Sequence, residues 1–289
     1  MREHRLRIGD RLITLLEGPA GWGEISPVVG YPCDPGVARR AAVEAACDGF
    51  PEPVRGSVVV NGFVPDASEI DVHLADRLAA FRCVKVKVGR RDPDEDVARL
   101  RSLRELLGPA VSIRVDANGS WDVATAAQVL TAIASAGVEL EFAEQPVATI
   151  AELAELRRMV DAPLAADECV RTIDDARALR AGDAADVLVL KVQPLGGVRA
   201  ALEIADAAGL PALVSSMFET SIGIASGLAL AAALPAAPPP CGLATLDELA
   251  GDVVASPLRP QRDVLSVPDT WPAPAPELLA RYSVVEPTS

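Results

Sequence analysis

"CVKVKVGR", residues 83–90, sets Lys85 and Lys87 among valines. In a strand, alternate side chains share a face, so both lysines point one way and Val84, Val86 and Val88 the other. An apolar strand that aims two ammonium groups at one place marks that place for chemistry. Residue usage sharpens the point. The chain holds 27 Lys+Arg, and lysine occurs only at 85, 87 and 191; the other 24 are arginine. Arginine therefore serves the solvated surface. Where lysine is kept, an amine that can lose its proton is wanted, which arginine cannot supply.

Outward from this stretch, short apolar runs recur with helical patterns between them. The runs cover 57–64, 83–89, 111–119, 140–146, 163–168, 186–192, 211–216 and 241–245. Between them lie segments such as "DPDEDVARLRSLRELLG" and "DVATAAQVLTAIASAG", the second ending in the glycine expected beyond a helix C-terminus. Continuous apolar strands separated by amphipathic helices imply parallel strands covered by helices. Eight such units predict a (β/α)8-type barrel rather than a doubly wound sheet, and the last unit lacks a strong helix.

Polar residues fall at one place in the repeat. Lys87 precedes Asp116 by 29 residues, Asp116 precedes Glu144 by 28, Glu144 precedes Asp167 by 23, and Asp167 precedes Lys191 by 24. Each gap is one strand–helix unit, and each residue sits at a strand's C-terminal end, where barrel active sites are built. A single strand-end aspartate is often only a helix N-cap. Capping does not account for five such residues in consecutive units. Three adjacent carboxylates repel one another, and a hard divalent cation with oxygen ligands resolves the conflict. Lysines stand before and after the trio. An amine crowded by other cations gives up its proton more readily, which suits a general base. Together these groups fit removal of a proton α to a carboxylate, with the enediolate held by positive charge.

Composition removes other classes. A net charge of −14 with 3% aromatic residues argues against nucleic acid. The longest apolar stretch, "IGIASGLALAAALPAAPPP", is broken by prolines and is expected to be a buried helix, not a membrane span. The start, "MREHRLRIGD", has no apolar core of a signal peptide. Five cysteines at 33, 47, 83, 169 and 241 have no metal-like spacing and fit reduced thiols in a cytoplasm. With only two histidines, His4 and His73, a histidine-dependent triad is not expected.

"VKVKVG", "VDANGSW", "EFAEQP", "AADE" and "LVLKV" resemble, in order and spacing, the enolase superfamily, specifically its muconate-lactonising subgroup. The resemblance covers roughly residues 15 to 250. It implies a modified (β/α)8 barrel over 56–250 and a small, truncated α+β capping domain formed by 1–55, with 251–289 packing back. It also implies that Asp116, Glu144 and Asp167 bind Mg2+, with Mn2+ as a substitute. Lys87 is then the base, Lys191 lies on the other side of the substrate, and Lys85 joins the catalytic set. Within the subgroup, "EGPAGWGEISPVVGYP" (17–32) and "VNGFVP" (60–65) are similar to the actinobacterial-type o-succinylbenzoate synthases. These are hydro-lyases of menaquinone biosynthesis that act on a small anionic carboxylate. The dipeptide epimerases carry an Asp-x-Asp at the last strand, and "CGLATLDE" has none there. An N-acylamino acid racemase remains the alternative, because the same residues serve both reactions. A Schiff-base aldolase using Lys191 is a more distant one. Oligomeric state is left open, a monomer being compatible.

Some residues keep two readings. Arg114 shares a face with Asp116, and either binds a substrate carboxylate or makes an internal salt bridge. Asn118 shapes the turn or touches substrate. Gly197 lets backbone approach a ligand or only forms a turn with Gly196. Ser215 and Ser216 bind a substrate carboxylate, or one of them caps a helix. In "AADE" strand parity does not choose between Asp167 and Glu168; the resemblance implies Asp167 as the ligand and leaves Glu168 to hydrogen-bond a lysine. Trp22 and Tyr31 cover the site or staple the cap.

Overall fold

The computed structural model describes residues 1–284. Two compact units divide the chain. One comprises Met1–Val59, Leu190–Glu203 and the residues from Val214 on; the other comprises Val60–Val189 and Ile204–Leu213.

The first unit begins with an antiparallel meander of β1 (Arg2–Ile8), β2 (Arg11–Gly18) and β3 (Gly21–Ile25). Its alternation sorts the side chains. Leu6, Ile8, Ile13 and Leu15 join Ile222, Val253 and Val254 in one core, against which Trp22 packs. Leu16 faces the other way, onto Ala42 and Ala46 of α1 (Pro35–Cys47). Asp34 starts that helix by accepting from the Val37 amide at 2.9 Å, with Pro35 preset for the first turn. Helix and sheet approach closely because Gly23 has no side chain: a Cβ there would lie 2.0 Å from the Ala42 carbonyl oxygen.

The chain then runs through β4 (Ser57–Val59), β5 (Gly62–Val64), α2 (Val72–Leu78), β6 (Cys83–Lys87), α3 (Pro93–Leu107) and β7 (Ser112–Asp116). It continues with α4 (Val123–Ser135), β8 (Leu140–Glu144), α5 (Ile150–Leu156), β9 (Leu164–Ala166), α6 (Ile173–Ala181) and β10 (Val187–Leu190). Last come α7 (Val192–Leu195), α8 (Val198–Ala208), β11 (Ala212–Val214), α9 (Ser221–Ala233), β12 (Val264–Ser266) and α10 (Pro276–Tyr282).

Strands β5 to β11 form one sheet in strict chain order, parallel in every pairing from β5 through β10. A doubly wound sheet reverses its strand order partway along; this one does not. The fold is a modified (β/α)8 barrel with a small α+β cap. On β6 and β7 the residues Val84, Val86, Ile113 and Val115 are fully buried, as are Leu100 and Leu103 of α3 and Ala126 of α4. Burial of each valine or leucine contributes about 1.5–3 kcal/mol. Lysine on the other face of β6 brings no such gain and needs a counter-charge.

Two expected strands differ. The run 57–64 is broken at the buried Asn61, whose side-chain amide donates to the Gly62 carbonyl at 2.9 Å. Its first half, β4, pairs antiparallel with β12, and its second half, β5, opens the parallel sheet. The run 241–245 forms no extended strand. It contributes a parallel bridge between Ser215 and Gly242 and a bond from the Cys241 amide to the Val59 carbonyl at 2.8 Å. The apolar stretch after residue 221 becomes α9, buried along nearly its whole length. No helix among the described residues is long and apolar enough to cross a membrane.

Candidate active site

In the unit that holds the parallel sheet, register brings the polar residues level. Lys85 pairs with Arg114, Lys87 with Asp116, and Asp116 with Glu144. On β6 and β7 that parity lies opposite the face of Val84, Val86, Ile113 and Val115, which places ammonium beside carboxylate. Lys85 Nζ stands 2.9 Å from Glu144 Oε1 and 3.1 Å from Asp116 Oδ2. Lys87 Nζ stands 2.6 Å from Asp116 Oδ2 and donates to Asn118 Oδ1 at 2.7 Å. Asp116 and Glu144 are 0% and 1% exposed, whereas the Lys87 side chain keeps 19%, enough to meet a ligand.

Asn118 shapes the turn and also joins the polar network. Its backbone is left-handed, with φ 47°, and its amide nitrogen donates to Asp116 Oδ1 at 3.1 Å. Its side-chain amide donates to Glu168 Oε1 at 2.8 Å. Asn118 thereby links Glu168 to Lys87. Arg114 is fully buried, and its guanidinium donates to Glu141 at 3.0 and 2.9 Å and to Asn61 Oδ1 at 3.3 Å. It also lies 4.5 Å from the Phe142 ring centroid. These are internal contacts of the kind the salt-bridge reading anticipates. Beneath the lysines, burial pushes the Cys83 thiol up to about 12, which leaves it inert as a nucleophile.

Gln145 escaped the sequence reading. Fully buried at a φ of 39°, it accepts from the Asp167 amide at 2.8 Å and the Cys169 amide at 3.2 Å. Its own amide donates to the Val147 carbonyl at 2.7 Å. Gln145 therefore aligns the end of β9, where Asp167 is 1% exposed, with the end of β8. A polar residue wedged between Glu144 and Pro146 was the available signal.

As the side chains stand, no three His, Cys, Asp or Glu groups among the described residues surround a point suited to an ion. Lys85 and Lys87 meet the charge of Asp116 and Glu144. The donor set nevertheless fits a hard divalent cation: three nearly fully buried carboxylates at the ends of adjacent strands.

Lys191, Gly197, Ser215 and Ser216 belong to the other unit. Lys191, 6% exposed, follows β10 directly, and its Nζ lies 4.1 Å from the Tyr31 ring centroid. Gly197, at φ 135°, forms a turn with Gly196; a Cβ on it would lie 2.2 Å from Glu44 Oε2. Glu44 receives the Val198 amide at 3.0 Å, so this turn is built for Glu44. Ser216 Oγ pairs with Thr245 Oγ1 at 2.6 Å. The cap of α9 is Thr220, not either serine. A second polar cluster was not foreseen. Glu24 Oε2 accepts from Thr220 Oγ1 at 2.5 Å and from the Gly223 amide at 2.9 Å. Glu219 accepts from Gln193 at 3.1 Å and from the Met217 amide at 2.6 Å. Burial, then the charge of Glu219, pushes Glu24 up to about 7.

The profile of the family described as "Enolase C-terminal domain-like" matches residues 70–272. The o-succinylbenzoate synthase of Thermobifida fusca (strain YX) is 49% identical over 256 residues, 88% of this chain and 80% of the relative. That of Mycobacterium tuberculosis (strain ATCC 25618 / H37Rv) is 43% identical over 279 residues, 95% of this chain and 84% of the relative. Among solved structures, muconate cycloisomerase from Pseudomonas fluorescens superposes with a TM-score of 0.85 at 22% identity, covering 97% of this chain and 96% of that one. N-succinyl Arg/Lys racemase from Bacillus cereus ATCC 14579 gives 0.82 at 19% identity, covering 98% and 96%. At these identities the structures bear on the fold alone.

Proposed function

Because the chain belongs to the enolase C-terminal domain-like family, we propose that it is an o-succinylbenzoate synthase. The reaction is the metal-dependent dehydration of 2-succinyl-6-hydroxy-2,4-cyclohexadiene-1-carboxylate in menaquinone biosynthesis. The observation that carries the reading is the lysine–carboxylate network at the ends of β6 to β8, in a chain 49% identical to such an enzyme.

Asp116, Glu144 and Asp167 are the residues that would hold a divalent cation, for which Mg2+ is the natural choice and Mn2+ a substitute. Bound there, it supplies positive charge for the substrate's carboxylate oxygens. Lys87, as the free amine, takes the proton α to that carboxylate. Asp116 and Asn118 aim it, through contacts of 2.6 and 2.7 Å. Lys85 keeps the neighbouring carboxylates neutralised. Lys191, as ammonium, faces the negative charge that develops on the enediolate. Lys87 then returns its proton to the departing hydroxyl, so one C–H and one C–O bond break and water leaves. Aromatisation of the ring drives the step. An odd, scattered set of five cysteines supports a reducing cytoplasmic setting.

The test is turnover of the cyclohexadiene carboxylate measured beside N-succinyl amino acids in D2O. Dehydration without deuterium exchange into N-succinyl amino acids is expected. Racemisation without dehydration would overturn the assignment in favour of a racemase.

A further inference from the structure

We propose that Tyr31 is a positioning residue for Lys191, its ring holding the lysine's ammonium in place for the reaction. The inference rests on the reading of Lys191 as a reacting group. Its evidence lies within one unit of the chain. The Lys191 ammonium sits 4.1 Å from the Tyr31 ring centroid, inside the range in which an aromatic face attracts a cation. Lys191 is nearly buried and Tyr31 half-buried, so water competes weakly with the ring. The chain has only two tyrosines and three lysines, which makes the pairing unusual in composition as well as in place.

Both partners are held by the same clamp. Tyr31 lies on the loop from residue 26 to residue 34, between β3 and α1. At the loop's base, the Ser26 amide donates to Gln193 Oε1 at 2.8 Å and Gln193 Nε2 donates to Ser26 Oγ at 3.1 Å. Gln193 is two residues from Lys191. Arg11 adds a bond to the Ser26 carbonyl at 2.6 Å. Gly30, at φ 85°, allows the turn in which the Tyr31 amide donates to the Val28 carbonyl at 3.1 Å. At the far end, Asp34 fixes the loop to the start of α1. A lysine stem has four rotatable carbons, and an aromatic face is one restraint on where its ammonium sits. The ring restricts it, and the Ser26–Gln193 clamp sets the ring relative to the strand end that carries the lysine.

Selective labelling of the lysine ε-carbons gives three methylene signals to follow, in the Mg2+-loaded full-length enzyme. The ring current of Tyr31 should displace one of them upfield, and Lys191→Met should remove that signal and so assign it. Tyr31→Phe should keep the displacement and near-normal kcat. Tyr31→Leu should abolish the displacement and lower kcat roughly 2- to 30-fold with KM little changed, the scale of one such contact. An undisplaced signal in the wild type, or wild-type kcat in Tyr31→Leu, overturns the inference. Lys191→Met at wild-type rate would sink the role of Lys191 and this inference with it. A loss in Lys191→Met without one in Tyr31→Leu sinks the inference alone.

Discussion

Replacing Arg114 by methionine separates the two parts open to a buried arginine one layer below Asp116. The apolar stem is conserved, so little cavity is left. Three things are lost. The paired bonds to Glu141 go, but that carboxylate is 32% exposed and can rehydrate, which keeps the cost below the 3–5 kcal/mol typical of breaking a fully buried pair. Asn61 Oδ1, in a side chain 2% exposed, loses a donor, at a cost of about 1–3 kcal/mol. The contact with the Phe142 ring at 4.5 Å contributes about 0.5–2 kcal/mol. These overlap, and a net loss of about 2–4 kcal/mol is expected, or a fall in Tm of about 3–7 °C for a chain of this size. The assays are thermal unfolding and steady-state kinetics on the folded fraction. KM should change by less than about threefold if the guanidinium's bonds to Glu141 and Asn61 are its working contacts. An unchanged Tm together with a tenfold or greater rise in KM would refute this reasoning and assign Arg114 to the substrate.

Lys87→Arg should lose kcat as severely as Lys87→Ala, by at least about 10² to 10⁴-fold, because a guanidinium stays protonated near neutral pH. A variant that retains more than a tenth of the wild-type rate would show that Lys87 is not the base. Exhaustive chelation should abolish turnover and Mg2+ restore it, while Mg2+ raises the Tm of wild type but not of Asp116→Asn; full turnover after chelation would remove the metal from the mechanism. The buried Glu24 supplies a pH test: its carboxyl, raised from 4.5 to about 7 by burial and by Glu219, stabilises the fold fully below about pH 4.5 and loses that contribution as pH rises through about 7. Denaturation midpoints should therefore be higher at pH 5 than at pH 8, with Glu219→Gln narrowing the gap, and equal wild-type midpoints would count against the shift.

The lysine strand and its valines were legible at once, because the two-residue period of a strand is a local property of the chain. The strand–helix repeat was legible for the same reason, and with it the barrel class and the strand-end places of Asp116, Glu144 and Asp167. Family resemblance then narrowed the chemistry. What the sequence could not decide depends on partners far apart along the chain. Arg114 meets Glu141 at 27 residues' separation and Asn61 at 53, and parity says only which face it leaves, not who waits there. Asn118 links Lys87 to Glu168, and Gln145 aligns Asp167, because sheet register sets strand ends level and two left-handed residues turn the backbone there. The weak strands failed for a related reason. Residues 57–64 split at Asn61, and 241–245 makes only isolated bonds, because the neighbours offered in space override the pattern of a short apolar run. Tyr31 came to rest on Lys191, 160 positions away in the sequence, through a loop whose base is clamped by Gln193. Periodicity assigns a side chain to a face; only the assembled backbone, through register, rotamer and loop anchoring, brings it to a partner.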